Sequence, residues 1–172
     1  MQTLDSIDLQ NITVRPEQSA DAAAIEQLHD VAIGPIRFTR AAHFLRGQTP
    51  ARPDLCFIIT THDKLLGSVR QTQIKIGAQL AVLLGPLVVQ PPLKGQGLGQ
   101  ELMKTAVQAA RDHGDDAIIL VGDEPYYRRF GFVRVPPGQI IMPAPVDENR
   151  ILVLDLLGGL DLAGAAQAIT PL

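Results

Sequence analysis

The chain has 172 residues, 46% of them hydrophobic and 19% charged, with a formal net charge of −3 at pH 7. That composition fits one folded domain and excludes a disordered chain. The mildly acidic balance argues against a surface built for nucleic acid or anionic membranes, and no apolar stretch approaches the length of a membrane span.

One cysteine, Cys56, lies in the apolar run Leu55-Cys56-Phe57-Ile58-Ile59. It allows no intrachain disulfide and no multi-cysteine metal site, and it reads as a small core residue rather than a nucleophile. The opening MQTLDSIDLQ has neither a basic start nor an apolar run. No signal peptide is expected, and a cytoplasmic location follows as an expectation.

Taken in order, residues 1–10 read as a frayed or short leading segment. Residues 12–15 alternate and stop at Pro16, a first strand. Ser19 or Asp21 can cap a helix over residues 22–30, with Ile25 and Leu28 on its inner face, and Gly34-Pro35 ends it. A second short helix, residues 39–45, carries His43 and Phe44. Residues 55–61, 65–76 and 80–89 read as three strands joined by the short turns His62-Asp63-Lys64 and Gly77-Ala78-Gln79, an antiparallel meander.

Inside the third of these stands Gly85-Pro86. Proline cannot donate to a ladder, so it marks a bulge or an edge. A strand bent there would splay from its neighbour and leave backbone groups of Leu87, Val88 and Val89 for an extended ligand; an ordinary edge bulge explains the same residues. A polar, proline-bearing turn follows, and then Lys94-Gly95-Gln96-Gly97-Leu98-Gly99-Gln100. A glycine loop between a strand and a helix gathers free N–H groups at the positive end of a helix dipole, which is an anion site. The dinucleotide pattern G-x-G-x-x-G fails because the third glycine comes one residue early, and no Gly-Lys-Ser/Thr follows.

The helix over residues 97–113 puts Leu98, Leu102, Ala106, Ala109 and Ala110 on one side, and Gly114 ends it as a left-handed cap. Residues 117–121, continuous and apolar, read as a strand covered on both faces. Strand, helix, strand makes a parallel βαβ unit after the meander. Gly122-Asp123-Glu124-Pro125-Tyr126-Tyr127 opens a short helix that Gly131 stops before Phe132. Further on, residues 151–156 read as a strand, and the Ala- and Gly-rich residues 158–172 carry no assignable pattern.

Two of these stretches together resemble the GNAT N-acetyltransferases: the loop Lys94 to Gly99, spaced like that family's Q/R-x-x-G-x-G/A, and the ending Tyr126-Tyr127…Gly131-Phe132. Residues 83–132 match the family in order and spacing, residues 12–76 in element order only. The resemblance implies an α+β fold: a mixed, mostly antiparallel central sheet flanked by helices, with the parallel βαβ unit around the cofactor loop. It also implies an N-acetyltransferase that moves an acetyl group from acetyl-CoA to a primary amine by direct attack in a ternary complex. Leu87, Val88 and Val89 would then face the pantetheine arm and thioester, while Lys94, Gly95, Gln96, Gly97, Leu98, Gly99 and Gln100 would hold the pyrophosphate. Tyr127, four positions before the glycine, would be the acid for the CoA thiolate; a packed aromatic is its bland alternative. Tyr126 reads as packing. Two departures stand out. Lys94 replaces the family's more usual Gln or Arg, and the asparagine that many members carry after the fifth strand has no counterpart in Leu120-Val121-Gly122-Asp123. Asp123 and Glu124 are either a general base or helix caps, and His43 is the histidine nearest the acceptor wall. The acidic balance favours a small amine or a basic peptide as acceptor, and a homodimer follows from the resemblance only. A GNAT-fold module that binds acyl-CoA without catalysis, and a phosphate binder that ignores CoA, are the rival readings.

Overall fold

A computed structural model describes residues 9–170; most of the leading segment, and the last two residues of the tail, lie outside the described residues. The meander forms as its alternation predicts. Strands β1 (Thr13–Pro16), β2 (Phe57–Thr61), β3 (Lys64–Ile76) and β4 (Gln79–Val89) pair antiparallel in sequence order. His62 and Asp63 turn the β2–β3 corner with φ of 44° and 65°, the paired left-handed geometry whose twist suits a two-residue hairpin.

β4 then pairs parallel with β5 (Ala117–Val121), reached through helix α3 (Leu98–Asp112). The sheet continues antiparallel through β8 (Ile151–Asp155) to β6 (Val133–Arg134). The result is a mixed, mostly antiparallel sheet with a parallel β4–β5 step, flanked by helices. Two strands were not anticipated beyond β6. β7 (Ile140–Ile141) pairs parallel with β9 (Gly164–Ala168), and β9 pairs antiparallel with Ile74, Lys75 and Ile76 of β3. β9 lies in the stretch that carried no assignable pattern.

Alternation along the central strands sorts the core into two faces. Val82, Leu84, Ile118 and Leu120 pack with Leu98, Leu102, Met103 and Ala106 of α3. Ala81, Leu83, Ala117 and Ile119 pack with Ala41, Ala42 and Leu45 of helix α2 (Ala41–Arg46). Both faces are covered, so the central strands are apolar throughout rather than alternating. At the far end of α3, Asp115 N–H donates to the Ala110 carbonyl and Gly114 N–H to that of Arg111, each at 3.0 Å, while Gly114 holds φ 76°. This is the Schellman arrangement, and it stops the helix where the glycine stands.

Helix α1 (Ala22–Ala32) lies over the sheet and buries Ile25, Leu28 and His29. The His29 ring nitrogen Nε2 is 3.4 Å from Ser68 Oγ, also buried. Cys56 is buried, and its thiol is pushed up to about 11, first by burial. That is the environment of an inert core thiol.

Candidate functional site

The site begins with a break in β4. Val69 stands opposite Leu87 but Gln71 opposite Leu84, so the pairing slips by one residue where Gly85 and Pro86 bulge. Gly85 takes φ 127°, open to glycine alone, and the Gly85–Pro86 peptide is cis. On the other side β4 meets β5 only at Val82↔Ile118 and Leu83↔Ile119. Beyond Leu84 the two strands part.

Which backbone groups face that split follows from parity. Gln90 N–H donates to the Leu66 carbonyl at 2.8 Å, so residue 90 points toward β3. Groups on an antiparallel strand alternate sides, so Val88 shares that orientation, while Leu87 and Val89 turn their N–H and C=O groups into the split. The sequence groups Leu87, Val88 and Val89 together; the pairing separates them into two that face the opening and one that serves the ladder.

At the end of β4 the chain turns through Pro91–Leu93 into the glycine loop. Gly95 and Gly97 hold φ of 83° and 88°, and a Cβ on either would meet nothing within 4 Å. The loop therefore uses glycine for backbone direction and for open space above the amides. Gly97 is the cap of α3 and offers no side chain to it, and Glu101 N–H to Gly97 C=O at 3.1 Å is the first bond of the helix. The N–H groups of Leu98, Gly99 and Gln100 precede that bond and stay outside the ladder. Lys94, Gly95, Gln96 and Gly97 are exposed, Leu98 is buried as the first core residue of α3, and Gly99 and Gln100 are half-buried.

A cavity of ≈ 520 Å³ fills the split. One wall is β4, residues 84–89; another is Leu120, Val121 and Tyr127; Lys94 stands at the loop end. The remaining walls come from residues 32–46 of the α1–α2 region and from residues 145–150 before β8.

Tyr127 closes helix α4 (Glu124–Tyr127), which Asp123 precedes and which carries Pro125 in its first turn. Its ring lies against the Gly122 backbone so closely that a Cβ there would strike it, and packs edge-on against Tyr126 and Phe132 with centroids 4.8 and 6.1 Å apart. Burial, before nearby charges, pushes the phenol up to about 12. A phenol in that range stays protonated at neutral pH and is a proton donor, not a base. Tyr126, read as packing, lies between the loop and Arg129. Its hydroxyl sits 3.0 Å from where a Cβ on Gly99 would stand, and the Arg129 guanidinium lies over its ring at 5.0 Å.

The other polar candidates separate. Glu124 is held by Arg128 at 2.9 Å and Arg134 at 2.7 Å, and Asp123 by Arg150 at 3.3 Å; neither carboxylate lines the cavity. His43 does not line it either, whereas Ala41, Ala42 and Arg46 of the same helix do. Among the described residues no group of three or more His, Cys, Asp or Glu side chains could hold a metal ion. What the sequence reading missed is the arginines: Arg37, Arg40, Arg46 and Arg150 all reach the cavity. Three of them fall within ten residues, a local basic cluster hidden by the chain's acidic total.

The profile of the acetyltransferase (GNAT) family matches residues 23–132, a span that contains the split, the glycine loop and Tyr127. The chain belongs to the GNAT acetyltransferase family. A curated relative, "uncharacterized N-acetyltransferase YjhQ" of Escherichia coli (strain K12), is 26% identical over 126 residues, covering 71% of this chain and 70% of its own. The crystal structure of the GNAT family N-acetyltransferase YhbS from Escherichia coli in complex with CoA superposes with a TM-score of 0.75 at 23% identity, covering 92% of this chain and 90% of that one. A GNAT family acetyltransferase from Brucella melitensis in complex with acetyl-CoA gives 0.69 at 24% identity, covering 92% and 96%. No helix among the described residues of this GNAT chain is long and apolar enough to cross a membrane.

Proposed function

We propose that the chain transfers an acetyl group from acetyl-CoA to a primary amine, by direct attack of the amine in a ternary complex. The observation that carries this reading is the meeting in one cavity of two open strand N–H groups, Leu87 and Val89, with a protonated phenol, Tyr127. The solved relatives that hold CoA and acetyl-CoA support the choice of cosubstrate.

The residues fit that cosubstrate in order along β4. The amides of the loop from Gly95 to Gln100, with the positive end of α3 behind them and Lys94 beside them, receive the pyrophosphate. Lys94 serves as a point charge where a guanidinium would offer a fork. The pantetheine arm then runs up the split as an added strand would, paired to Val89. Its far end brings the thioester to Leu87, whose N–H polarises the carbonyl as charge develops on oxygen.

The amine enters neutral and its nitrogen bonds to the carbonyl carbon. As the carbon–sulfur bond breaks, Tyr127 gives its proton to the departing thiolate, and the surplus proton on nitrogen leaves through water, which returns a proton to the phenolate and restores Tyr127. Holding both partners in the cavity supplies the rest, since transfer from a thioester to an amine asks mainly for proximity and orientation.

Tyr127→Phe tests the assignment because it keeps the ring on Gly122 and removes only the hydroxyl. Turnover on a panel of primary amines is expected to fall by roughly 10²–10⁴-fold, the usual worth of a positioned proton donor, with acetyl-CoA affinity unchanged. An unchanged rate would remove Tyr127 from the mechanism. Binding of acetyl-CoA by the wild type with no turnover on any amine would favour the non-catalytic acyl-CoA module instead.

A further inference from the structure

The cavity is lined by Arg37, Arg40, Arg46, Lys94 and Arg150 against one carboxylate, Asp147, although the chain as a whole carries a formal charge of −3. Two of these cations are already neutralised. Arg37 pairs with Glu26 at 3.0 Å and Asp30 at 2.7 Å, and Arg150 with Asp123 at 3.3 Å. Arg46 differs. Its Nε is shut from solvent and meets no acceptor, and its guanidinium lies over the backbone of the bulge, with Nη2 3.0 Å from where a Cβ on Gly85 would stand. Burial first, and Arg40 second, pull its pKa down to about 10, so it is still charged at pH 7. A cation whose Nε is shut from solvent, beside another cation and with no ion-pair partner among the described residues, is unfavourable in the free protein. An anion would relieve it.

That anion is not the phosphate of the cosubstrate. The order along β4 is loop, Val89, Leu87, Gly85, so Arg46 sits two residues beyond the thioester position, roughly 7 Å further up the strand and away from the loop. In the acetyl-transfer reading that end is left to the acceptor.

We propose that the acceptor is an amine bearing its own anionic group, and that Arg46, with Arg40 beside it, receives that group. This deepens the acetyl-transfer reading and rests on it. A guanidinium takes a carboxylate or a phosphonate through the same fork, so the shared chemistry is an anionic amine, with free amino acids as its simplest carboxylate form. A purely cationic amine would add positive charge to a site that already has too much, which is selection by repulsion.

The test is a titration into protein saturated with CoA, using free amino acids, their uncharged carboxamides, and aminoalkyl phosphonates as probes, with acetylation followed in parallel. Acids are expected to bind at least tenfold more tightly than their carboxamides. Arg46→Gln should erase that difference by weakening the acids roughly 10- to 100-fold, the worth of a hydrogen bond to a charged group, while CoA affinity holds. Arg46→Lys should retain part of it. Preference for phosphonates over carboxylates would name the phosphoryl source of the same chemistry. Because Arg46→Gln removes an unpaired buried charge, its Tm should stay level or rise; a fall would give Arg46 a structural role and overturn the proposal. Carboxamides that bind as well as acids, a preference that survives in Arg46→Gln, or a panel in which no acid binds would overturn it as well. CoA binding is read separately, so its loss would count against the acetyl-transfer reading, and loss of the acid–carboxamide difference against this inference alone.

Discussion

Gly122→Ala is the perturbation whose outcome the packing determines most directly. Gly122 follows β5, and its N–H donates to the Arg150 carbonyl at 2.9 Å, which holds its backbone in place. It does not take a positive φ, so alanine brings no backbone strain and any cost must come from packing. The added Cβ would stand 2.9 Å from Tyr127 Cδ2 and 3.1 Å from Leu120 Cδ1, and would also strike Tyr127 Cε2. The ring must therefore move, at about 1–3 kcal/mol for an overpacked site. For a chain of this size each kcal/mol is worth about 2–4 °C, so Tm should fall by roughly 2–12 °C. Turnover should fall too, since the phenol is displaced. The assay is calorimetric melting of Gly122→Ala, Tyr127→Ala and the double variant. With the ring gone, Gly122→Ala should cost nothing, or gain up to about 1 kcal/mol from the stiffer unfolded chain. An equal penalty in both backgrounds would refute the contact as the cause.

Two pH effects follow from buried groups. Burial holds His29 down at about 4, against an ordinary 6.5; a depressed pKa contributes stability that is complete above pH 6.5 and lost as pH falls toward 4. The slope of Tm over that window should flatten in His29→Gln, and a slope unchanged by the substitution would remove His29 as its source. Tyr127, raised from 10.0 to about 12, has the opposite sign: its contribution is complete below pH 10 and lost as pH climbs through 12. Tyr127→Phe should remove that alkaline loss in the same melts.

Much of the fold is legible in the chain because its pattern and its packing agree. Residues 117–121 are apolar without a break, and they lie between two covered faces. Leu98, Leu102 and Ala106 recur at helical spacing, and they are the residues α3 buries. Gly114 stops that helix by its φ, which a glycine at the end of a periodic run announces. β9 gave no such sign. Gly164–Ala168 is GAAQA, with no β-branched or aromatic residue. Its strand comes from pairing to β3 and from Thr49, whose hydroxyl donates to the Ile169 carbonyl at 3.1 Å and accepts from its N–H at 2.7 Å. Both partners are distant in sequence, so no local window contains the cause.

The candidate site divides in the same way. Gly85 marks the bulge and Gly95 and Gly97 mark the loop because their positive φ favours glycine, while Gly99 leaves room for the Tyr126 hydroxyl. Parity between Leu87, Val88 and Val89 needed the ladder to β3. Arg46 reaches Gly85 only because α2 packs on one face of the sheet through Ala41, Ala42 and Leu45, a tertiary fact. The chain's overall charge favours a small amine or a basic peptide as acceptor, and the cations around the cavity add to that expectation an acceptor that carries an anion.

If the loop before α3 holds the pyrophosphate of acetyl-CoA, a carboxylate placed over its amides abolishes binding. Acetyl-CoA is titrated calorimetrically into the wild type, Gly97→Glu and Gly114→Glu. The two glycines sit at opposite ends of α3 with φ of 88° and 76°, and a Cβ on either meets nothing within 4 Å. Both substitutions thus carry similar backbone strain, but only the first puts a carboxylate over the loop amides. Binding by the wild type and Gly114→Glu that vanishes in Gly97→Glu is the predicted result. Equal binding by all three, or none by the wild type, would contradict it.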